Sequence, residues 1–194
     1  MSVTAVVIAA DRSDSFDVPK HLVPFGGGTV LGKVIEDVDA WPTDDSLLVL
    51  GADAEEILAS IEAPNWTIVI DPEWKEGIGA SIRVALDVVS RGRGAQSVLF
   101  ARGDQPGVTP AIVSGMLAEQ KASGASIVLP KYRYAFGWPI LVHQDIWQWL
   151  MGLEGDFDLA ELLHGRPTGV AEAWFDHLGP RRIGGPDDLP GSVQ

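Results

Sequence analysis

The chain contains no cysteine, which removes disulfides, thiolate catalysis and cysteine-ligated zinc or iron–sulfur centres together. Carboxylates and histidines remain as the side chains that could hold a metal. Cations are scarce as well: 14 Lys and Arg face 27 Asp and Glu, a net charge of −13. Nucleic-acid binding rests on clustered basic residues, so no nucleic-acid partner is expected. No apolar run approaches the ~20 residues of a membrane span, and the amino terminus lacks the basic stretch, apolar core and cleavage site of a secretory signal. We expect no membrane association and a cytosolic location. Repeats at a fixed period and long low-complexity tracts are also missing, although Pro and Gly become frequent from Gly179 onward. That tail is expected to wrap the surface.

What is present is ordinary for a globular chain: 194 residues, 46% hydrophobic and 21% charged. A domain usually takes about 100 to 200 residues, so residues 1–194 are expected to form one domain with a proper core. Short apolar runs at 3–9, 46–51, 66–70 and 97–101 are continuous rather than alternating, which predicts strands buried on both faces. Helical spacing at 29–38, 54–61 and 79–89 separates them. Alternation of this kind favours right-handed β-α-β units and a mostly parallel sheet with helices on both faces, a three-layer α/β/α arrangement. A further helix over 109–124 carries Thr109 as N-cap, Pro110 at its first position and Gly124 past its end. A strand at 125–130, helices in 144–153 and 158–165 and a strand at 169–175 complete the series.

Ligands of open parallel sheets bind beyond the carboxyl ends of the strands. Three ends stand out: Ala10, which opens an acid-rich loop, Ile70, which opens "DPEWKEGIGAS", and Ala101, which opens "RGDQPG". A common pocket would contain all three. In the third, Gly103 and Pro106 shape a turn around Asp104, a carboxylate able to hold Mg²⁺ against phosphate oxygens; the plainer alternative is a solvated turn aspartate. In the first, Lys20 follows Pro19 and could neutralise phosphate as a point cation, or be a surface lysine. The glycines at 26–28 suit a tight turn before a helix capped at Thr29. In the second, Gly77 and Gly79 permit close backbone approach, and Ser81 could offer its hydroxyl to a ligand or merely cap a helix. Trp138 could stack on a flat ring or pack in the core. Trp147 and Trp149 suit a core-and-boundary pair, and the four histidines show no paired metal spacing.

Taken as a set, the Pro-Lys loop, "GIGASIRVAL", "RGDQPGV", "GWPILV" and "GDFDLAELL" resemble the MobA-like nucleotidyltransferases, with the molybdenum-cofactor cytidylyltransferase branch nearest. The resemblance runs from Val6 to Leu189. It implies the nucleotide-diphospho-sugar-transferase-like (Rossmann-like) fold. It also implies a Mg²⁺-dependent transfer from a nucleoside triphosphate, CTP favoured and GTP open, to a phosphorylated small-molecule acceptor such as the molybdenum cofactor, with release of pyrophosphate. A molybdoenzyme partner would follow. The residues carried over are Lys20 and Asp104 as catalytic, Asp104 on the metal, Ala9, Ala10, Asp11, Lys20, Gly79, Ser81 and Gly103 around the nucleotide, and Gly137, Trp138, Pro139 and Asp156 around the acceptor.

Several positions depart from the pattern. Asp11 and Asp17 stand where the first loop usually has glycines, and Ser15 stands for its Arg. Trp138 replaces a frequent His, Asp158 a Gly and Ala160 an Arg, and Gly184 falls where a second metal carboxylate is common. Lost glycines and added carboxylates make a poorer cradle for a polyanion. The competing expectation is therefore a degenerate relative that keeps the fold and serves as a binding or partner protein in cofactor handling.

Overall fold

A computed structural model of the protein describes residues 2–92, 94–165 and 168–190. The first strand, β1 (Val3–Ala9), is wholly buried. Its alternate side chains feed two separate cores: Val3, Ala5, Val7 and Ala9 one, Val6 and Ile8 the other. A strand apolar on both faces must be covered on both, which places it at the centre of a sheet.

After β1 comes a small hairpin of β2 (Pro24–Phe25) and β3 (Gly28–Thr29). Gly26 and Gly27 take φ of 59° and 88° at its tip, so the expected tight turn is found. Helix α1 (Val30–Asp39) follows, and the Thr29 hydroxyl accepts from the Gly32 N–H at 3.1 Å. The chain then steps outward through β4 (Asp45–Leu50), α2 (Ala54–Ser60) and β5 (Thr67–Ile70), and returns through α3 (Ile78–Ser90) to β6 (Ser97–Arg102) on the other side of β1. Next are α4 (Pro110–Ser123), β7 (Ile127–Tyr132), β8 (Ala135–Phe136), β9 (Ile140–His143), α5 (Trp147–Met151), α6 (Leu159–His164) and β10 (Val170–Phe175).

The main sheet runs β10-β7-β9-β6-β1-β4-β5, with β8 alongside β7. β1 pairs in parallel with β4 and β6, setting Ile8 opposite Val49 on one side and Arg102 on the other. Only β8 and β9 run antiparallel. Helices α1, α2 and α4 contribute to one core, α3, α5 and α6 to the other. The mostly parallel, three-layer expectation holds.

Three local readings are revised, and the ends of α4 fall where expected. β5 is not buried on both faces: Ile68 and Ile70 are 37% and 50% exposed, because this strand lies at the sheet edge. Residues 140–143, within a stretch given no element from the sequence, form the antiparallel β9. The helix read across 144–153 is a single 3₁₀ turn (Gln144–Ile146) followed by the short α5. Thr109 precedes α4 as N-cap without a side-chain capping bond, while Gly124 closes it in the left-handed region with φ 67°.

Beyond β10 the tail does more than wrap the surface. Ile183 is buried with Val23 and Val30, and its N–H donates to the Asp104 carbonyl at 2.7 Å. Gln105 Nε2 donates to the Pro180 carbonyl at 2.7 Å. These contacts bind the tail across the carboxyl end of β6. Residues 191–194, the end of the expected tail, lie outside the described residues. No helix among the described residues is long and apolar enough to cross a membrane.

Candidate active site

Because β4 and β6 leave β1 on opposite sides, the strand order reverses between β1 and β6, and a crevice opens at their carboxyl ends. A cavity of about 530 Å³ lies there. Ala10 and Asp11 come to it from β1, Arg102 and Asp104 from β6, and Gly77 and Ser81 from the segment after β5. All three strand ends singled out in the sequence thus reach one pocket.

Its charged centre is built on Asp104, which is 2% exposed. Lys20 Nζ donates to Asp104 Oδ2 at 2.7 Å and also contacts Asp11 Oδ2. Lys20 is itself 2% exposed, far from the ordinary position of a lysine, and is carried on the one-turn helix Lys20–Leu22. A second cation was not foreseen. Arg182, from the tail, donates from Nε to Asp104 Oδ2 at 2.8 Å and from a terminal nitrogen to Asp11 Oδ2 at 3.2 Å. Burial pushes the Asp104 carboxyl up, but the charges and hydrogen bonds of Lys20 and Arg182 outweigh it and hold the group below its usual range. Asp104 is therefore ionised, and its partners are two cations drawn from opposite ends of the chain.

His21 sits beside this group, buried, with Nε2 lacking a hydrogen-bond partner and 3.9 Å from Asp11 Oδ1. Burial first, then the neighbouring Lys20 charge, lowers its pKa to about 4, so the ring is neutral at pH 7. Arg102 ends β6 after four apolar residues, half-buried, with its guanidinium carbon 4.6 Å from the Trp138 ring centroid. Burial, followed by the like charge of Arg182, lowers its pKa.

The expected nucleotide residues divide. Ala10, Asp11 and Ser81 line the cavity, as does the expected metal residue Asp104, whereas Lys20 lies behind Asp104 and is not part of the lining. Ala9 faces the core, and Gly103 lies so close to Ala9 that a Cβ would meet the Ala9 Cβ at 2.5 Å. Gly79 packs on the 153–155 backbone and donates its N–H to the Gly155 carbonyl. Gly77 has φ 100° and sits 2.6 Å, measured from a built Cβ, from the Asp156 nitrogen; a side chain would separate α3 from that loop. Ser81 already donates to Asp71 Oδ2 at 2.8 Å, and Asp71 is fully buried.

The expected acceptor residues are not brought together. Asp156 lines the main cavity. Gly137 lines a separate one of about 170 Å³ with Tyr134, Phe136 and Leu178. Trp138 and Pro139 are buried, and the Trp138 carbonyl accepts from the Tyr132 hydroxyl at 2.8 Å, so Trp138 packs while showing its face to Arg102. Trp147 is buried and Trp149 is 39% exposed, the core-and-boundary pair expected.

Among the described residues no group of three or more His, Asp or Glu is arranged to hold a metal ion. The donors that face the cavity are nevertheless of the right kind for a hard divalent ion. Asp104 is an ionised carboxylate at a strand end with Asp11 across from it, and Mg²⁺ is commonly held by one or two carboxylates plus substrate phosphates.

Residues 5–171 match the model of the MobA-like NTP transferase domain, and the chain belongs to that family. Among solved structures, an Rv0371c homolog from Mycobacterium sp. strain JC1 superposes with a TM-score of 0.85 at 29% identity, covering 96% of this chain and 92% of that one. Rv0371c from Mycobacterium tuberculosis H37Rv, solved in complex with manganese, gives 0.85 at 27% identity over the full length of both. The curated relative nicotine blue oxidoreductase of Paenarthrobacter nicotinovorans is 28% identical over 120 residues, 61% of this chain and 57% of that protein. The match thus spans somewhat over half of that relative's length.

Proposed function

We propose that the chain is a nucleotidyltransferase, acting as one domain, that moves a nucleotidyl group from a nucleoside triphosphate to a phosphorylated small molecule. The observation that carries this reading is the buried Asp104, paired with Lys20 behind it and lining a cavity at the switch point of the sheet, in a chain of this family. In the reaction an acceptor phosphate oxygen bonds to the α-phosphorus as the bond to the leaving pyrophosphate breaks, so no protein nucleophile is required. The chain's task is electrostatic and positional. Lys20 and Arg182 offset phosphate charge, while the carboxylate they hold at Asp104 remains ionised. A divalent ion, Mg²⁺ by this reading, would be held by Asp104, with Asp11 as second oxygen donor, and would neutralise the polyphosphate. CTP is the favoured donor, GTP the alternative, and a molybdenum-cofactor-type phosphate the acceptor, which would make a molybdoenzyme the downstream partner.

One observation favours the second reading, a catalytically silent binding or partner protein. Asp104 Oδ2 is already shared by two cations of the chain, and Asp11 places a carboxylate where a phosphate would approach. Calorimetric titration of CTP, GTP and ATP, each with Mg²⁺ or with chelator, decides between them. The transferase reading expects metal-dependent binding of one nucleotide, weakened at least tenfold in Asp104→Asn. No binding of any of the three by the folded wild-type protein would leave the partner reading standing.

A further inference from the structure

The cations that line the cavity differ in how they are paired. Arg12 is paired with Asp53, and Arg182 with Asp104 and Asp11. Arg102 has neither an ion pair nor a hydrogen bond to its guanidinium among the described residues; its contact is the face of Trp138. The carboxylates nearest in charge to it are already engaged. Asp104 takes Lys20 and Arg182, and Asp158 Oδ1 accepts from the Glu161 N–H at 2.9 Å as the N-cap of α6. Lys75 also lines the cavity without an ion pair, but it is exposed and free to turn into water.

Arg102 cannot turn away so easily. It ends β6 in register with Ile8, and its guanidinium lies over the ring of a tryptophan that is 4% exposed. A guanidinium has five N–H donors in a fixed fork, and those of Arg102 are half-buried beside the cavity but not sealed from solvent. The acceptors that match such a fork are the paired oxygens of a carboxylate or phosphate. Among the described residues no carboxylate of the cavity wall, Asp156 included, is ion-paired with it, and an anionic ligand is the partner that fits the fork.

We propose that Arg102 is a phosphate-binding residue, which with Arg182 across the cavity grips a phosphoryl group directly, without a divalent ion. Trp138 is the platform that keeps the fork aimed at the cavity, which gives this tryptophan a use other than stacking on a ligand ring. The proposal deepens the transferase reading and rests on it for the identity of the ligand. The phosphoryl group belongs either to the triphosphate or to the acceptor.

Two probes distinguish these sources: inorganic pyrophosphate for the triphosphate and glycerol 3-phosphate for a phosphomonoester acceptor. Each is titrated calorimetrically in chelator against wild type, Arg102→Met and Arg102→Lys, with circular dichroism to confirm folding. Methionine keeps an unbranched apolar stem on Trp138; lysine keeps the charge without the fork. Wild type is expected to bind one probe, Arg102→Met to lose at least tenfold and Arg102→Lys to fall between. Should the methionine variant not fold, the lysine variant still reports a loss of threefold or more. Binding of pyrophosphate assigns the clamp to the donor, and binding of glycerol 3-phosphate to the acceptor.

Failure of both probes with wild type, or equal binding by wild type and the folded variants, overturns the proposal. The same variants titrated with CTP and Mg²⁺ keep the two readings apart. Undiminished nucleotide binding without a metal-free phosphate site discards the clamp and leaves the transferase reading. A phosphate site lost with Arg102, in a protein that binds no nucleotide, does the reverse.

Discussion

Lys20 and Arg182 reach the same oxygen of Asp104 from opposite ends of the chain, at 2.7 and 2.8 Å, yet they are different interactions. The Lys20 side chain is 2% exposed and that of Arg182 is 46% exposed. The first joins two buried charges, and losing Lys20 would leave Asp104 with only the half-exposed Arg182. The second is a lid-like contact, screened by water, on a tail held by Ile183. One is needed for the site to exist, whereas the other tunes what it holds.

The comparison is broken most easily at the buried end. Lys20→Met is expected to lower stability by about 3 to 5 kcal/mol, the range found when one member of a buried pair is removed. The loss would appear as a lower urea midpoint at unchanged slope. Arg182→Met should cost about 1 kcal/mol or less, because a pair this exposed is screened. Equal losses from the two variants would show that the tail is as much a part of the interior as Lys20.

His21 tests the same burial by pH. Its pKa falls from 6.5 to about 4 on folding, so the unfolded chain binds the proton more readily. The contribution is intact above pH 6.5 and is lost as pH falls toward 4, a change of about 3 kcal/mol for a shift of this size. Below that both states are protonated and the slope from this group vanishes. Urea titrations across pH 4 to 7 should show a downward trend in wild type that His21→Gln flattens. If the trend survives the substitution unchanged, another group is responsible.

The smallest effect is expected at Asp11, whose side chain is 53% exposed. Asp11→Asn should change stability by about 0.5 kcal/mol or less, as surface substitutions do. It removes one repulsive charge and frees Lys20 and Arg182, so pyrophosphate affinity should rise about fivefold, the equivalent of roughly 1 kcal/mol. A fall instead would mean that the carboxylate orients the two cations more than it repels the ligand.

The parts of this site that were legible in the sequence are those whose signals are local. Asp104 follows a buried strand and is framed by Gly103 and Pro106, and Lys20 ends the loop after β1, so both are marked by their neighbours in sequence. The parts that were missed depend on chain returning from far away. Arg182 sits in a Pro- and Gly-rich stretch with no periodicity, and nothing near it marks it as a ligand of Asp104, 78 residues earlier. Arg102 did leave a trace, as the single charged residue closing an apolar strand, but its role depends on Trp138 lying beneath it. The same limit explains Ile70. An apolar run looks identical at the centre and edge of a sheet, and strand order alone exposes it.

By itself the sequence determined the class of fold, because continuous apolar strands alternating with amphipathic helices have few ways to cover both faces of a sheet. It also determined that cysteine chemistry is excluded, that Asp104 stands just past a strand end and that Lys20 closes the loop after the first strand. The tertiary structure decided which charges meet. Burial and pairing are properties of neighbours in space, so only the folded chain could set Lys20 and Arg182 on one oxygen of Asp104. For the same reason it alone could bury His21 in its neutral form and set Arg102 at the cavity with no ion pair among the described residues.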